Sequence, residues 1–188
     1  MKISITGHTS GIGKCLFDIY IKNNHTVSGY SLSSGYDVNN DSIRKSIIES
    51  SKDSDVFINN AYADPGQTLL LKEIAKEWQG QNKRIVNISS KLSFLPKGKL
   101  PMLDTYIEQK TQQNEFIRSQ FTKAYPKITN IIVGLVDTPM SKTFESIKIN
   151  PVELGNFIYQ ISLSNSLNIQ QVVIDVPGLD WEDIRNNK

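Results

Sequence analysis

Lys2-Ile3-Ser4-Ile5-Thr6-Gly7-His8-Thr9-Ser10-Gly11-Ile12-Gly13 carries an apolar strand into a helix across three glycines. The strand is short and apolar, and Ile12, Leu16, Ile19 and Tyr20 then recur at helical spacing, a stripe that would pack on a sheet. Each glycine has a physical reason. Gly7 lets the chain turn sharply off the strand, Gly11 lets backbone approach a pyrophosphate, and Gly13 lets the helix lie close to the sheet. A helix that begins here offers unpaired N–H groups and a partial positive charge to phosphates. The order strand, turn, helix favours a dinucleotide site over a glycine-rich turn that binds nothing.

The same alternation continues along the chain. Strand-like runs are expected at 2–6, 26–30, 35–37, 55–59, 84–89, 128–134 and 171–176, with helical patterns at 11–23, 42–51, 68–79, 103–124 and 151–163. This predicts an α/β fold: one doubly wound, mostly parallel sheet of about seven strands, with helices on both faces, forming a single domain over 1–188. Ligands of such sheets sit at the carboxyl ends of the strands.

Composition narrows the function. The 188 residues carry 21 basic and 19 acidic side chains, a net charge of +2. So even a balance argues against a nucleic-acid partner or an anionic membrane surface. No apolar run approaches the roughly 20 residues of a membrane span, and strand-like sequence begins at Lys2, so a cytoplasmic protein is expected. The single cysteine, Cys15, lies on the apolar face of the first helical stretch and is expected to be a buried packing residue. Two histidines without a cysteine cluster leave little for a metal site, and none is expected.

Tyr106-Ile107-Glu108-Gln109-Lys110 places a phenol and an ammonium one helical turn apart on one face. A free tyrosine, with a pKa near ~10, moves protons poorly at neutral pH. A neighbouring lysine and the positive end of a helix that starts near Asp104 both favour the tyrosinate, which makes the phenol a usable acid/base. In isolation the same spacing is an ordinary amphipathic helix; beside the glycine turn it reads as chemistry.

Taken together, Thr6-Gly7-x-x-x-Gly11-Ile12-Gly13, Asp37-Val38, Asn59-Asn60-Ala61, Tyr106-x-x-x-Lys110 and Gly134-Leu135-Val136-Asp137-Thr138-Pro139 resemble, in order, the motifs of the short-chain dehydrogenase/reductase family, single-domain branch. Val133 stands where that family usually has proline. The resemblance implies a Rossmann-type fold and hydride transfer between a nicotinamide cofactor and a carbonyl or alcohol. It implies Tyr106 as acid/base, Lys110 on the nicotinamide ribose, and Ser90, the second serine of Asn87-Ile88-Ser89-Ser90, orienting the substrate. The family's usual serine-to-tyrosine separation would select Ser93 instead; a short insertion within 95–101 leaves the role with Ser90. Gly7, Thr9, Ser10, Gly11 and Ile12 would form the cofactor turn. Asp37 would accept from the adenine amino group and Val38 flank the ring. Asn59 and Ala61 would line the cofactor, and Val136 and Thr138 hold its carboxamide end. Relatives pair through the helices that correspond to 68–79 and 103–124, which implies a homodimer or homotetramer.

Two departures stand out. The short stretch between Ala61 and Ser89 removes the region of the family's fourth catalytic residue, an asparagine; Asp64 and Gln67 lie near but do not match it. The span 138–150 is too brief for the lid of larger relatives, so an open site is expected.

In Gly29-Tyr30-Ser31-Leu32-Ser33-Ser34-Gly35 no acid follows the second strand, where NAD-binding sites place a carboxylate on the ribose 2′-hydroxyl. Ser31, Ser33 and Ser34 would instead meet a 2′-phosphate, so NADP is preferred, with NAD the alternative. Lys91, Lys97 and Lys99 flank the site; solvated surface lysines are the plainer reading, attraction of an anionic substrate the sharper one. The functional expectation is a small carbonyl reductase or alcohol dehydrogenase. The rivals are a dinucleotide-binding sensor without turnover and a nucleotide-sugar epimerase or reductase.

Overall fold

The computed structural model describes residues 1–164 and 166–178. Its strands are β1 (Lys2–Thr6), β2 (Thr26–Tyr30), β3 (Val56–Asn59), β4 (Arg84–Ser90), β5 (Lys127–Val133) and β6 (Gln171–Ile174). The helices are α1 (Gly11–Lys22), α2 (Asp41–Ser50), α3 (Gly66–Glu77), α4 (Asp104–Gln120) and α5 (Pro151–Leu163). All strands run parallel in one sheet, in the order β2-β1-β3-β4-β5-β6. The order reverses between β1 and β3, and the crevice opened there is where such sheets bind ligands.

Six of the seven expected strands form. Residues 35–37 lie outside the sheet, because the serines before them close the chain into a 3₁₀ turn, Leu32–Ser34. Ser31 and Ser34 cap one another there, and Gly35 ends the turn at φ 90°. The expected helix at 103–124 is an α-helix only over Asp104–Gln120, with Pro101–Leu103 forming a 3₁₀ turn ahead of it. Local chemistry sets other helix starts: the Asn40 side chain accepts from the Ser42 N–H (2.9 Å), and Asn150 accepts from Val152 (2.8 Å) ahead of Pro151.

Alternation along the strands builds two apolar layers. On one face Ile3, Ile5, Val56, Ile58, Val86, Ile88, Ile131 and Val133 meet Leu16 and Tyr20 of α1 and Leu154, Ile158 and Ile161 of α5. On the other, Phe57, Ile85 and Ile128 meet Leu70, Leu71, Ile74, Trp78 and Ile117 under α3 and α4. Helices α1 and α5 close on each other at Gly155, where an added Cβ would stand 2.8 Å from Ile19. Cys15, expected to be a buried packing residue, packs beside Gly155 and is half-buried; that burial pushes its thiol pKa up.

Toward the carboxyl ends of the strands the α3/α4 face changes from apolar to polar. Asn59, Asn87 and Asn130 are lateral neighbours on β3, β4 and β5, and all are fully buried. Asn59 Nδ2 donates to Asn87 Oδ1 (2.8 Å), Asn87 Nδ2 to Asn130 Oδ1 (3.0 Å), and Asn130 Nδ2 to Asn114 Oδ1 of α4 (2.8 Å). Buried amides are tolerated only when paired in this way. Asn87→Ala should therefore cost about 2 kcal/mol, because it leaves Asn130 Oδ1 without its donor. For a chain of this size that is a fall of roughly 4–8 °C in unfolding temperature. An unchanged calorimetric midpoint would refute this.

Candidate active site

The glycine turn is held by backbone and by Asn60. Gly7 donates to the Tyr30 carbonyl (2.6 Å), and Gly7 and Gly11 have φ of 72° and 52°, which a glycine adopts without strain. A Cβ on Gly13 would lie 2.2 Å from the Gly7 carbonyl, so the start of α1 can approach the turn only with glycine there. Thr6 Oγ1 accepts from the N–H groups of Asn60 (2.9 Å) and Ala61 (3.1 Å), stitching β1 to the end of β3. Asn60 Nδ2 in turn donates to the Thr6 carbonyl (3.1 Å). Ser10 precedes α1 without capping it, and the first turn of α1 holds no acidic residue, so the positive end of the helix is not neutralised by its own side chains. Ala61 lies 3.1–3.3 Å from where a Gly7 Cβ would be, and Thr138 lies 3.3 Å from that of Gly11. Ala61 and Thr138 thus both close on the turn. Its glycine cradle, free helix terminus and lack of acid fit a dinucleotide pyrophosphate.

At the edge of the turn, Ser33 Oγ bonds Thr9 Oγ1 (3.0 Å) and Ser31 Oγ (3.0 Å), and Ser31 Oγ bonds Ser34 Oγ (2.8 Å). These hydroxyls form one patch at the end of β2. His8 packs over Gly29, whose Cβ would fall 2.3 Å from the imidazole ring.

Several expected cofactor residues sit differently. Asn59, expected to line the cofactor, turns its side chain into the amide layer, since it shares the strand face of Phe57; Asn60 does the work at the crevice. Val38, expected to flank an adenine ring, is 4% exposed and belongs to the core around Tyr30 and Ile47. Asp37 is exposed and accepts from the Asn39 N–H (2.9 Å). Val136 is buried and bridges to Ile149, and Thr138 and Ser141 cap one another around a 3₁₀ turn. The span after Thr138 lines a hollow of about 960 Å³ with Phe144, Ile147 and Lys148.

Ser90 ends β4, where its side chain accepts from the Leu92 N–H (3.2 Å), and it lies close enough to the half-buried Tyr106, near the start of α4, to pull the phenol's pKa down. Ser93 faces elsewhere: it donates to the Ser90 carbonyl (2.6 Å) and accepts from Asn114 Nδ2 (2.7 Å). Ser90 is therefore the serine beside Tyr106. Lys110 lies beneath, with Nζ 5.5 Å from the centre of the Tyr106 ring. It donates to the Ile88 carbonyl (3.0 Å) and to Gln67 Oε1 (2.8 Å).

The expected lowering of the Tyr106 pKa by Lys110 is not what this arrangement produces. Burial pushes the phenol up, more than Ser90 pulls it down, and the adjacent Tyr62 adds to the rise. The cause lies in the same burial: Lys110, 3% exposed, has its pKa pulled down to about 7, so near neutrality much of its charge is gone. Tyr62 escaped the sequence reading, which named Gln67 as near the missing asparagine but gave it no role. Tyr62 packs edge-on against Tyr106, centroids 4.9 Å apart, and follows Asn60-Ala61 directly, the one hint available.

The flanking lysines differ among themselves: Lys97 is exposed, as a solvated lysine would be, whereas Lys91 is half-buried. Lys91 pairs with Asp175 and Lys97 with Glu108 (3.4 Å). Among the described residues no group of acidic, histidine or cysteine side chains could hold a metal ion, and no helix is long and apolar enough to cross a membrane.

The buried lysine has a thermodynamic signature. Between pH 7 and 10.5 the unfolded chain carries a proton on Lys110 that the folded chain releases, so folding gains stability as pH rises through that window. Measured by thermal unfolding, the stability difference between wild type and Lys110→Met should shift toward the wild type from pH 7 to 10.5 and stay flat below pH 6. A constant difference across the range would contradict the burial of this ammonium.

No protein-family model matches this sequence, and no curated protein matches it. Solved structures do match in shape. The 3-alpha-hydroxysteroid dehydrogenase from Pseudomonas sp. B-0831, complexed with NADH, superposes with a TM-score of 0.73 at 18% identity, over 93% of this chain and 95% of that one. A short chain dehydrogenase from Burkholderia cenocepacia J2315 in complex with NADP gives 0.74 at 15% identity, over 93% and 88%. The 3-ketoacyl-(acyl-carrier-protein) reductase from Brucella melitensis, complexed with NADH, gives 0.70 at 17%, over 93% and 96%. At such low identity the likeness speaks for architecture: this chain is built on the fold of the short-chain dehydrogenases and reductases.

Proposed function

We propose that this chain is an NADP(H)-preferring oxidoreductase of the short-chain dehydrogenase/reductase type, acting on a small carbonyl or alcohol and working as one domain over residues 1–188. The observation that carries the proposal is the placing of Tyr106 over the buried Lys110, 5.5 Å from ring centre to Nζ, with Ser90 at the end of β4 beside them. The glycine cradle supports it, as do the NADH and NADP held by proteins of the same fold.

When bound, the reduced nicotinamide supplies the hydride to the carbonyl carbon. Ser90 donates to the carbonyl oxygen and fixes its direction. Tyr106 gives its phenolic proton to that oxygen as negative charge develops there, and the tyrosinate left behind recovers a proton from solvent. Lys110 in its protonated form lowers the cost of that tyrosinate, and a cationic nicotinamide nearby acts in the same sense. Cofactor discrimination rests on the patch of Thr9, Ser31, Ser33 and Ser34, which offers hydroxyl donors where a carboxylate would repel a 2′-phosphate.

Oxidation of NADPH against a panel of aldehydes and ketones tests the reading. Tyr106→Phe should lower turnover by roughly 10²–10⁴-fold while cofactor binding, followed by fluorescence, is retained. Cofactor binding with no turnover on any carbonyl would instead favour a dinucleotide-binding sensor. Ser33→Asp should weaken NADPH binding by about tenfold and leave NADH binding unharmed; equal losses for both would remove the serine patch from cofactor choice.

A further inference from the structure

A buried ammonium needs acceptors, and the sources of those at Lys110 are specific. One is the Ile88 carbonyl of β4 at 3.0 Å; the other is Gln67 Oε1, at 2.8 Å, from the first turn of α3. Gln67 is itself fully buried. Its Nε2 donates to the carbonyls of Asn59 (3.2 Å) and Ile88 (3.3 Å). A carbonyl oxygen can only accept, so these two contacts require the amide nitrogen to face them and leave the amide one orientation, with its oxygen toward Lys110. The titratable groups that face the ammonium are Tyr106 on its own helix, 5.5 Å away at the ring centre, and Tyr62 from the β3–α3 loop at 6.0 Å. Asp64 acts on Tyr62 rather than on the lysine, and among the described residues no carboxylate pairs with Lys110.

We infer that Gln67 is a positioning residue of this site: its amide oxygen, locked in direction by two backbone carbonyls, holds the Lys110 ammonium against β4 and beneath Tyr106. The catalytic meaning of this rests on the function proposed above; the contact and its effect on the lysine do not. Nothing in the spacing of Gln67 and Lys110, 43 residues apart, announces the pair. It is made by the packing of α3 beside α4 over β4. The neighbouring amides Asn59 and Gln113 close the surroundings: Asn59 Nδ2 donates to the Gln67 carbonyl (3.2 Å), and Gln113 Nε2 to Thr68 Oγ1 (3.1 Å).

The test reads the lysine directly. In protein labelled with ¹³C at the lysine ε-carbons, the Lys110 resonance is identified by its loss in Lys110→Met, and its titration midpoint is followed by NMR. Gln67→Met keeps the bulk but removes the acceptor, so the midpoint should fall by about one pH unit. Gln67→Glu sets a carboxylate in the same place, and the midpoint should rise. A role limited to packing would not move the two variants in opposite directions. A midpoint that stays put in Gln67→Met, or falls in both variants, overturns the inference; should Gln67→Glu fail to fold, Gln67→Met decides alone. Carbonyl reduction by the same proteins supplies the second readout, since its loss at rising pH should follow the Lys110 midpoint in each. Wild-type protein with no Tyr106-dependent turnover would sink the proposed function and leave the lysine titration to decide on Gln67.

Discussion

Where the strand order reverses, two chains leave one sheet in opposite directions, and their departing N–H groups lose the ladder that satisfied them. Much of this molecule follows from how that split is closed. Thr6 meets the difficulty with one hydroxyl, which accepts from both Asn60 and Ala61 and donates to the Ile58 carbonyl (3.3 Å). Asn60 returns the favour to the carbonyl of Thr6. The ends of β1 and β3 are thereby tied to each other with the polar groups of Thr6, Asn60 and Ala61 paired. Gly13 then brings the end of α1 against the turn, so that a helix terminus rather than a side chain offers the positive field.

The second organising choice is the polar layer beneath α3 and α4. A continuous apolar face would have packed as well, but it could not have hosted Lys110. The amides of Asn59, Asn87, Asn130, Asn114, Gln67 and Gln113 form a connected set that ends at Ser93 on one side and at the ammonium on the other. Buried networks of this kind give a single arrangement or a costly one, since each missing partner leaves another group unpaired. Asn59 Oδ1 remains without a protein partner in this layer.

Periodicity made most of the architecture legible. The strands at 2–6 and 26–30 and the helix at 151–163 have the expected bounds, because apolar runs there meet clear turn or capping residues. Residues 35–37 misled because three residues cannot reveal whether hydroxyls will cap a turn or a strand will continue. Tyr106 and Lys110 were readable because both lie on one helix, where spacing is geometry. Asn59 could have been placed correctly from strand alternation alone, as it shares the parity of buried Phe57. Gln67 could not, since its contact depends on how two helices pack. The electrostatic balance was equally hidden: sequence spacing supplies a lysine beside a tyrosine, whereas the depth of burial decides how much charge that lysine keeps.

Strand β6, the last in the sheet order, has four residues with alternate positions exposed, and its register is set by Val172 and Ile174 packing on the core. Asp175, just beyond it, reaches Lys91 beside the catalytic serine candidate, and its carboxylate occupies the space above Gly134, where a side chain would collide with it. A slip of one residue would carry that carboxylate to the opposite face. The ion pair thus acts as an index mark that aligns the sheet's last strand with the residue next to Ser90. Sheet alignment at the edge and the placement of the end of β4 become a single mechanical quantity, shared between positions 84 residues apart in the chain.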